Sequence, residues 1–140
     1  MAEPRCGAGK PGQPSPKSLA SAPKDVLRAS LRDHDACVRK SVVDAIGKSG
    51  DAAWLDDLRA ACKDADAQVR ASAAASLGSV LDRNRPKGPE NADARFIQSL
   101  IGLLQDRSQQ VRRAAAESLQ RISGMDLDYS PGYWEAWWED

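Results

Sequence analysis

The sequence predicts an all-α protein, a short α-solenoid of about three helical hairpins, and three observations lead to this fold class. A pattern of 15 residues occurs three times along the chain. Within each copy, apolar residues recur at the i, i+4 and i+8 spacing that places them on one face of a helix. No segment shows the strict alternation of apolar and polar residues that a half-buried strand requires.

The repeated pattern aligns without gaps. Its copies read DHDACVRKSVVDAIG, DADAQVRASAAASLG and DRSQQVRRAAAESLQ, and they begin at Asp33, Asp64 and Asp106. The second interval is longer than the first, 42 residues against 31. The additional residues in the second interval correspond to a segment with two prolines and a glycine, and this composition predicts a loop insertion at about 82–92. A second pattern of leucines lies upstream of each copy, so each repeat is predicted to be a hairpin of two helices.

The ends of the second helices can be predicted from single residues. Short oxygen-bearing side chains three residues before the aligned valine favour N-caps, because they accept from the free N–H groups of the first turn. These residues are Asp35, Asp66 and Ser108. Gly47 and Gly78 are predicted to be left-handed C-cap residues that end two of the helices. The second helix of the middle repeat is rich in alanine, which favours close helix packing or, alternatively, a groove left by missing side chains.

Composition divides the chain into three parts. Residues 1–23 hold five of the eight prolines and are predicted to be a disordered leader, because such a segment buries little surface against its ordering entropy. Residues 24–123 contain the repeats. Residues 124–140 carry five acidic and no basic residues, and they include Trp134, Trp137 and Trp138. This last segment is interpreted as a cap on the end of the solenoid or as a docking peptide for a partner.

Charge and hydropathy exclude several classes of protein. The 20 basic and 20 acidic residues cancel, and no segment is basic enough to predict strong binding to nucleic acid. No run of about 18 apolar residues is present, so we expect no membrane span. The N-terminus lacks the apolar region of a signal peptide, and three cysteines without regular spacing predict free thiols. These features together predict a cytoplasmic protein.

Candidates for chemistry are few. The one histidine, His34, lies in a predicted turn, and it is interpreted as an exposed turn residue because no second base, nucleophile or metal ligand accompanies it. Cys62 aligns with leucines of the other repeats and is predicted to be a small core residue. Cys37 aligns with glutamines and is predicted to be exposed near the start of a helix. The sequence predicts no catalytic residue, no metal ligand and no cofactor.

The repeated motif is Asp-x-x-x-x-Val-Arg-x-x-(Ala/Val)-x-x-x-(Leu/Ile)-Gly, and the third copy lacks the final glycine. Over about residues 24–123 it resembles the HEAT repeat family, in the shorter phycobilisome-lyase-type form found in bacterial proteins. The resemblance implies stacked hairpins in which an arginine of one repeat reaches the aspartate of an adjoining repeat, an arrangement called here the Arg–Asp ladder. The ladder residues are Asp33, Arg39, Asp64, Arg70, Asp106 and Arg112. The alternative is that each pair is a solvated ion pair that contributes little stability.

The resemblance also implies a function, that of a non-enzymatic protein–protein interaction or scaffold module whose partner is another protein. In the family the second helices tend to line the concave face, so their outward positions are candidate partner-binding residues. They are Lys40, Asp44, Ser72, Ser79, Arg113 and Glu117, joined by Trp134, Trp137 and Trp138 if the last segment docks a partner. Self-association is left open. A further alternative is an accessory subunit or remnant of a lyase-like or modifying enzyme that positions a substrate.

Overall fold

The computed structural model describes residues 23–84 and 94–123 of the chain. These ranges contain six α-helices and one short 3-10 turn, and they contain no strand. The helices are α1 (Lys24–Ser30), α2 (Ala36–Ser49), α3 (Leu55–Ala61), α4 (Ala67–Arg83), α5 (Ala94–Leu103) and α6 (Gln109–Ser123), and the turn is Ala52–Trp54. The prediction of a short all-α solenoid is confirmed. Residues 1–22 of the predicted leader and the segment that holds Trp134, Trp137 and Trp138 lie outside the described residues.

The helices pair as three hairpins, α1–α2, α3–α4 and α5–α6. The longer second helices pack side by side in the order α2, α4, α6, and the first helices pack against them as a second layer. The core lies between the two layers. Val69, Ala73 and Leu77, the predicted apolar stripe of α4, are at most 1% exposed, and Leu58 and Leu100 of the first helices are fully buried. The periodicity of the sequence therefore identifies the buried face of α4.

The second helices begin where the sequence predicts. The carboxylates of Asp35 and Asp66 accept from backbone N–H groups two residues ahead, at 2.9 and 2.8 Å. The Ser108 hydroxyl accepts from the Val111 N–H over a longer distance, 3.5 Å. Each contact satisfies a donor that the first turn of a helix leaves without a partner inside the helix.

The prediction that Gly47 and Gly78 end two second helices is wrong. Both glycines lie inside helices, because α2 continues to Ser49 and α4 continues to Arg83. The left-handed residue that ends α2 is Gly50, with a φ of 68°. Since α4 is longer than expected, it extends into the range predicted as a loop insertion, most of which lies outside the described residues.

Close packing between neighbouring second helices explains why both positions are glycine. A Cβ atom on Gly47 would lie 2.3 Å from Ser76 Oγ, and one on Gly78 would lie 2.3 Å from Ser118 Oγ. The hydroxyl of each serine also donates to the carbonyl four residues before that glycine, at 3.2 and 2.7 Å. A glycine on one helix and a buried serine on the next thus form the same close contact at both repeat junctions.

The predictions for two cysteines have opposite outcomes. Cys62 is 4% exposed, as expected of a core residue, and burial raises the pKa of its thiol to about 12. Cys37 is buried rather than exposed, at 5%, and it is disulfide-bonded rather than free. A cysteine side chain is small and apolar, so this position can be buried although other repeats carry glutamine there. The prediction of a cytoplasmic protein therefore loses the support of free thiols at all three cysteines.

Candidate protein-binding face

The aspartates that begin the repeated motif organise the turn within each hairpin. The carboxylates of Asp33, Asp64 and Asp106 each accept from the backbone N–H two residues ahead, at 2.8 to 2.9 Å. The arginines of the motif bind these turns too. Nη1 of Arg39 and of Arg70 donates to the carbonyl of the aspartate in its own repeat, at 2.7 and 2.8 Å. Each arginine is therefore held in place by its own turn.

The same two arginines connect adjacent repeats. Nε and Nη2 of Arg39 donate to the two carboxylate oxygens of Asp64 at 2.8 and 3.1 Å. Arg70 donates in the same way to Asp106 at 2.9 and 3.1 Å. All four side chains are less than a fifth exposed, so these are bidentate and largely desolvated ion pairs rather than solvated surface pairs.

The contacts of the Arg–Asp ladder favour the charged forms of the arginine and aspartate side chains that make them. The hydrogen bond to Asp64 raises the pKa of Arg39. Desolvation raises the pKa of Asp106, but the hydrogen bonds from Arg70 and from the Ser108 N–H outweigh it, so the pKa of that carboxyl is lowered. The ladder therefore stabilises the stacking of α2, α4 and α6 at neutral pH, and these helices carry the surface described next.

A shallow groove of about 300 Å³ lies on the outward face of the second helices, along α4 and between α2 and α6. We call it the alanine groove, because Ala71 and Ala75 of α4 and Ala114 of α6 form its floor. Its complete lining is Lys40, Asp44, Ala71, Ser72, Ala75, Gln110, Arg113, Ala114 and Glu117.

The groove exists because the middle repeat lacks two charged side chains. The corresponding residues of α2, α4 and α6 are Lys40, Ala71 and Arg113 and, one turn later, Asp44, Ala75 and Glu117. Both outer repeats thus carry a cation followed by an anion, and the middle repeat carries alanine at both positions. The missing side chains leave a depression with charged walls.

The two walls present their charges in the same order. On α2, Lys40 Nζ lies 3.0 Å from Asp44 Oδ2. On α6, Arg113 and Glu117 are exposed, and within the described parts of the chain neither belongs to an ion pair. Because equivalent helices of stacked repeats run in the same direction, the cations lie at one end of the groove and the anions lie about 6 Å further along.

Five of the six residues predicted on the outward face of the second helices line this groove. They are Lys40, Asp44, Ser72, Arg113 and Glu117. Ser79 lies about two turns further along α4 and is not part of it. Sequence analysis did not identify the alanines of the floor or Gln110, although the alignment of Ala71 and Ala75 with charged residues was a usable signal.

The residues considered for chemistry do not form a second site. The His34 side chain is 98% exposed, and its Nδ1 atom lies 3.6 Å from Asp33 Oδ1. Over 23–84 and 94–123, no three His, Cys, Asp or Glu side chains are close enough together to hold a metal ion. None of the helices in those ranges is long and apolar enough to cross a membrane. His34 is thus an exposed turn residue, as the sequence predicts.

Comparison with protein families gives two matches. A model of HEAT repeats matches residues 16–78, and a model of a HEAT-like repeat matches residues 67–122, so that the two overlap in α4 and together span all three hairpins. A comparison with curated proteins finds no significant match. The phycobilisome-lyase-type form and the bacterial origin stay predictions. HEAT repeats generally mediate protein–protein interaction or scaffolding and are typically non-catalytic. The chain belongs to the HEAT repeat family.

Proposed function

We propose that this protein is an interaction or scaffold module that binds a helical segment of a partner protein in the alanine groove. The observation that carries the proposal is the order of side chains across the second helices, in which two charged walls enclose an alanine floor. The general role of HEAT repeats in protein–protein interaction supports the same function.

The groove has the width that one helix needs. Neighbouring packed helices lie about 8–10 Å apart, so α2 and α6 are separated by roughly 16–20 Å. A partner helix of about 10 Å diameter has room over α4 between these side chains, where it would contact the exposed Ala75 and the 6% of Ala71 that is accessible. Small floor residues let the partner approach the backbone of α4 closely, which increases dispersion contacts without a large apolar patch.

The walls define the charges that the partner must carry. Lys40 and Arg113 lie at one end of the groove and favour an acidic side chain there. Asp44 and Glu117 lie one turn further and favour a basic side chain at that end. An occupant with Asp or Glu four residues from Lys or Arg, next to small apolar residues, satisfies both ends. Exposed charges are screened by water and salt, so we expect modest affinity that falls at high ionic strength.

The experiment is a selection from a phage-displayed library of helical peptides against the full chain. We expect enriched peptides to carry acidic and basic residues four positions apart. Ala75→Leu fills the groove without a change of charge and should weaken binding of a selected peptide by tenfold or more. Ala60→Leu, the same change at an exposed position on α3, should leave the affinity unchanged.

A second pair of variants tests the charge order. Lys40→Glu with Arg113→Glu should abolish binding of the selected peptide, and a peptide with its acidic residues changed to lysine should bind this variant instead. Peptides whose affinity changes with neither the groove-filling variant nor the charge reversal would contradict the proposal, because their site would lie elsewhere on the protein.

A further inference from the structure

The first helices of neighbouring repeats carry different charges at the positions where they meet. At the first junction the Nη2 atom of Arg28, in α1, lies 3.6 Å from Asp57 Oδ2, in α3. Asp57 follows a second carboxylate, Asp56, and the corresponding residues of α5 are Gln98 and Ser99. The whole of α5 contains no acidic residue. At the second junction, therefore, neutral side chains occupy the positions that supply a carboxylate at the first.

Arg59 of α3 is the counterpart of Arg28, because the two repeats are offset by 31 residues. The residue that corresponds to Asp57 is Ser99, whose hydroxyl donates to the Arg95 carbonyl of its own helix at 2.9 Å. Arg59 Nε is buried and has no hydrogen-bond partner among the described residues. In that part of the chain its guanidinium belongs to no ion pair either. A buried donor without an acceptor has lost its hydration and gained nothing in return, so an acceptor placed here would remove that cost.

A cavity of about 230 Å³ lies between α3 and α5 at this point. Arg59 and Lys63 line it from α3, and Gln98 and Ser99 line it from α5. Gly102 also borders it, and a Cβ atom on this glycine would have no atom within 4 Å, so the cavity is open beside it. Among the described residues that line the cavity, none is acidic. The cavity thus combines two positive charges with neutral polar groups.

These features suit one small anionic group. The cavity is smaller than the roughly 300–1,000 Å³ of pockets that enclose drug-sized ligands. An arginine presents its N–H groups as a planar fork that matches the oxygens of a carboxylate or a phosphate. Lys63 and Gln98 are exposed at the edge of the cavity, where an ammonium and an amide N–H can donate to further oxygens of the same group.

We propose that this cavity binds an oxyanion, a carboxylate or a phosphate group, which accepts from Arg59 in the place that the Asp57 carboxylate has at Arg28. The bound group would connect α3 to α5 as the Arg28–Asp57 pair connects α1 to α3. The cavity belongs to the layer of first helices, so it is separate from the alanine groove and does not depend on what binds there. Since part of the site is open to solvent, its affinity should fall with salt.

Heteronuclear NMR of the arginine Nε–H signals in the full chain tests this binding directly. Arg59→Lys keeps the charge and identifies the Arg59 signal by its loss. The probes are sodium acetate and inorganic phosphate, added at constant ionic strength, with sodium chloride as the reference. We expect the Arg59 signal to shift in a saturable way with at least one probe, and the Arg28 signal to shift far less because Asp57 is already beside it. A response to acetate alone identifies a carboxylate site, and a response to phosphate alone identifies a phosphate site.

Ser99→Asp supplies the carboxylate from the chain itself, at the position that corresponds to Asp57. It should weaken binding of the responsive probe by tenfold or more. Its Tm should exceed that of Ser99→Asn, which has the same shape without the charge, by about 2–8 °C. An Arg59 signal that follows chloride as strongly as the probes would overturn the proposal. So would probe binding that Ser99→Asp leaves unchanged, or equal Tm values of the two variants. The titration of the unaltered chain decides the question even if Ser99→Asp does not fold.

Discussion

The close contact between α4 and α6 makes Gly78→Ala the most informative single substitution for the fold. The added Cβ atom would lie 2.3 Å from Ser118 Oγ, 2.4 Å from Ser118 Cβ and 2.9 Å from Ser118 Cα. Carbon atoms in contact normally lie about 3.5–4.0 Å apart. Ser118 is 5% exposed and its hydroxyl donates to the Ala74 carbonyl at 2.7 Å, so the side chain has no free space to enter. The backbone of α6 must therefore move.

Two terms set the magnitude of the effect. Overpacking of a dense core costs about 1–3 kcal/mol, and the upper end applies here because a backbone atom is among the clashes. Alanine is favoured over glycine inside a helix by about 1 kcal/mol, which offsets part of that cost. We expect a net loss of about 2 kcal/mol in the free energy of unfolding. For a chain of this size the Tm should then fall by about 6–10 °C.

Circular dichroism at 222 nm during heating and urea denaturation measures both quantities. Gly102→Ala is the matched control, since Gly102 lies in α5 and its added Cβ would have no atom within 4 Å. It should keep or slightly raise the Tm. Gly78→Ala combined with Ser118→Gly should recover part of the loss, because it moves the small residue to the other helix. A Gly78→Ala protein as stable as the wild type would refute the close-contact explanation.

Three further predictions follow from the ladder, the core and the helix end. The pKa of the Asp106 carboxyl is below its ordinary value of 3.8. The stability that this carboxylate contributes is therefore present above that pH and is lost as pH falls through the folded pKa. Arg70→Gln should make the acid unfolding curve flatter below about pH 4. With a thiol pKa raised to about 12, native Cys62 should resist iodoacetamide at pH 8 and react after denaturation, as peptide mass spectrometry would show. Gly50→Ala should cost about 1–2 kcal/mol in urea unfolding, because φ is 68° there.

Several features of this protein were predictable because they depend on residues close together in sequence. The apolar spacing in α4 predicts its buried face, since the helix period is a local property. Asp35 and Asp66 cap helices through N–H groups two residues ahead, so their roles could be read from single positions. The repetition of the motif at three places predicts hairpins that stack, and family comparison confirms the fold.

Other features depend on contacts between residues that are far apart in sequence, and the local pattern does not report them. Gly47 followed an apolar stripe and suggested a helix end, but its role is set by the distance from α2 to Ser76 on α4. Cys37 aligned with glutamines, yet it is buried and disulfide-bonded. In both positions a tertiary contact outweighed the local preference.

The alanine groove also combines a feature that the sequence predicts with one that only the tertiary structure decides. Composition identified an Ala-rich second helix and left close packing and a groove as alternatives. The structure contains both, since Ala73 and Ala74 are fully buried while Ala75 is exposed and lines the groove. Helical period and capping chemistry act within one or two turns, so the chain alone specified the hairpins and their order. Only the side-by-side packing of α2, α4 and α6 decides which small residues are buried and which form a surface, because that depends on distances between separate helices.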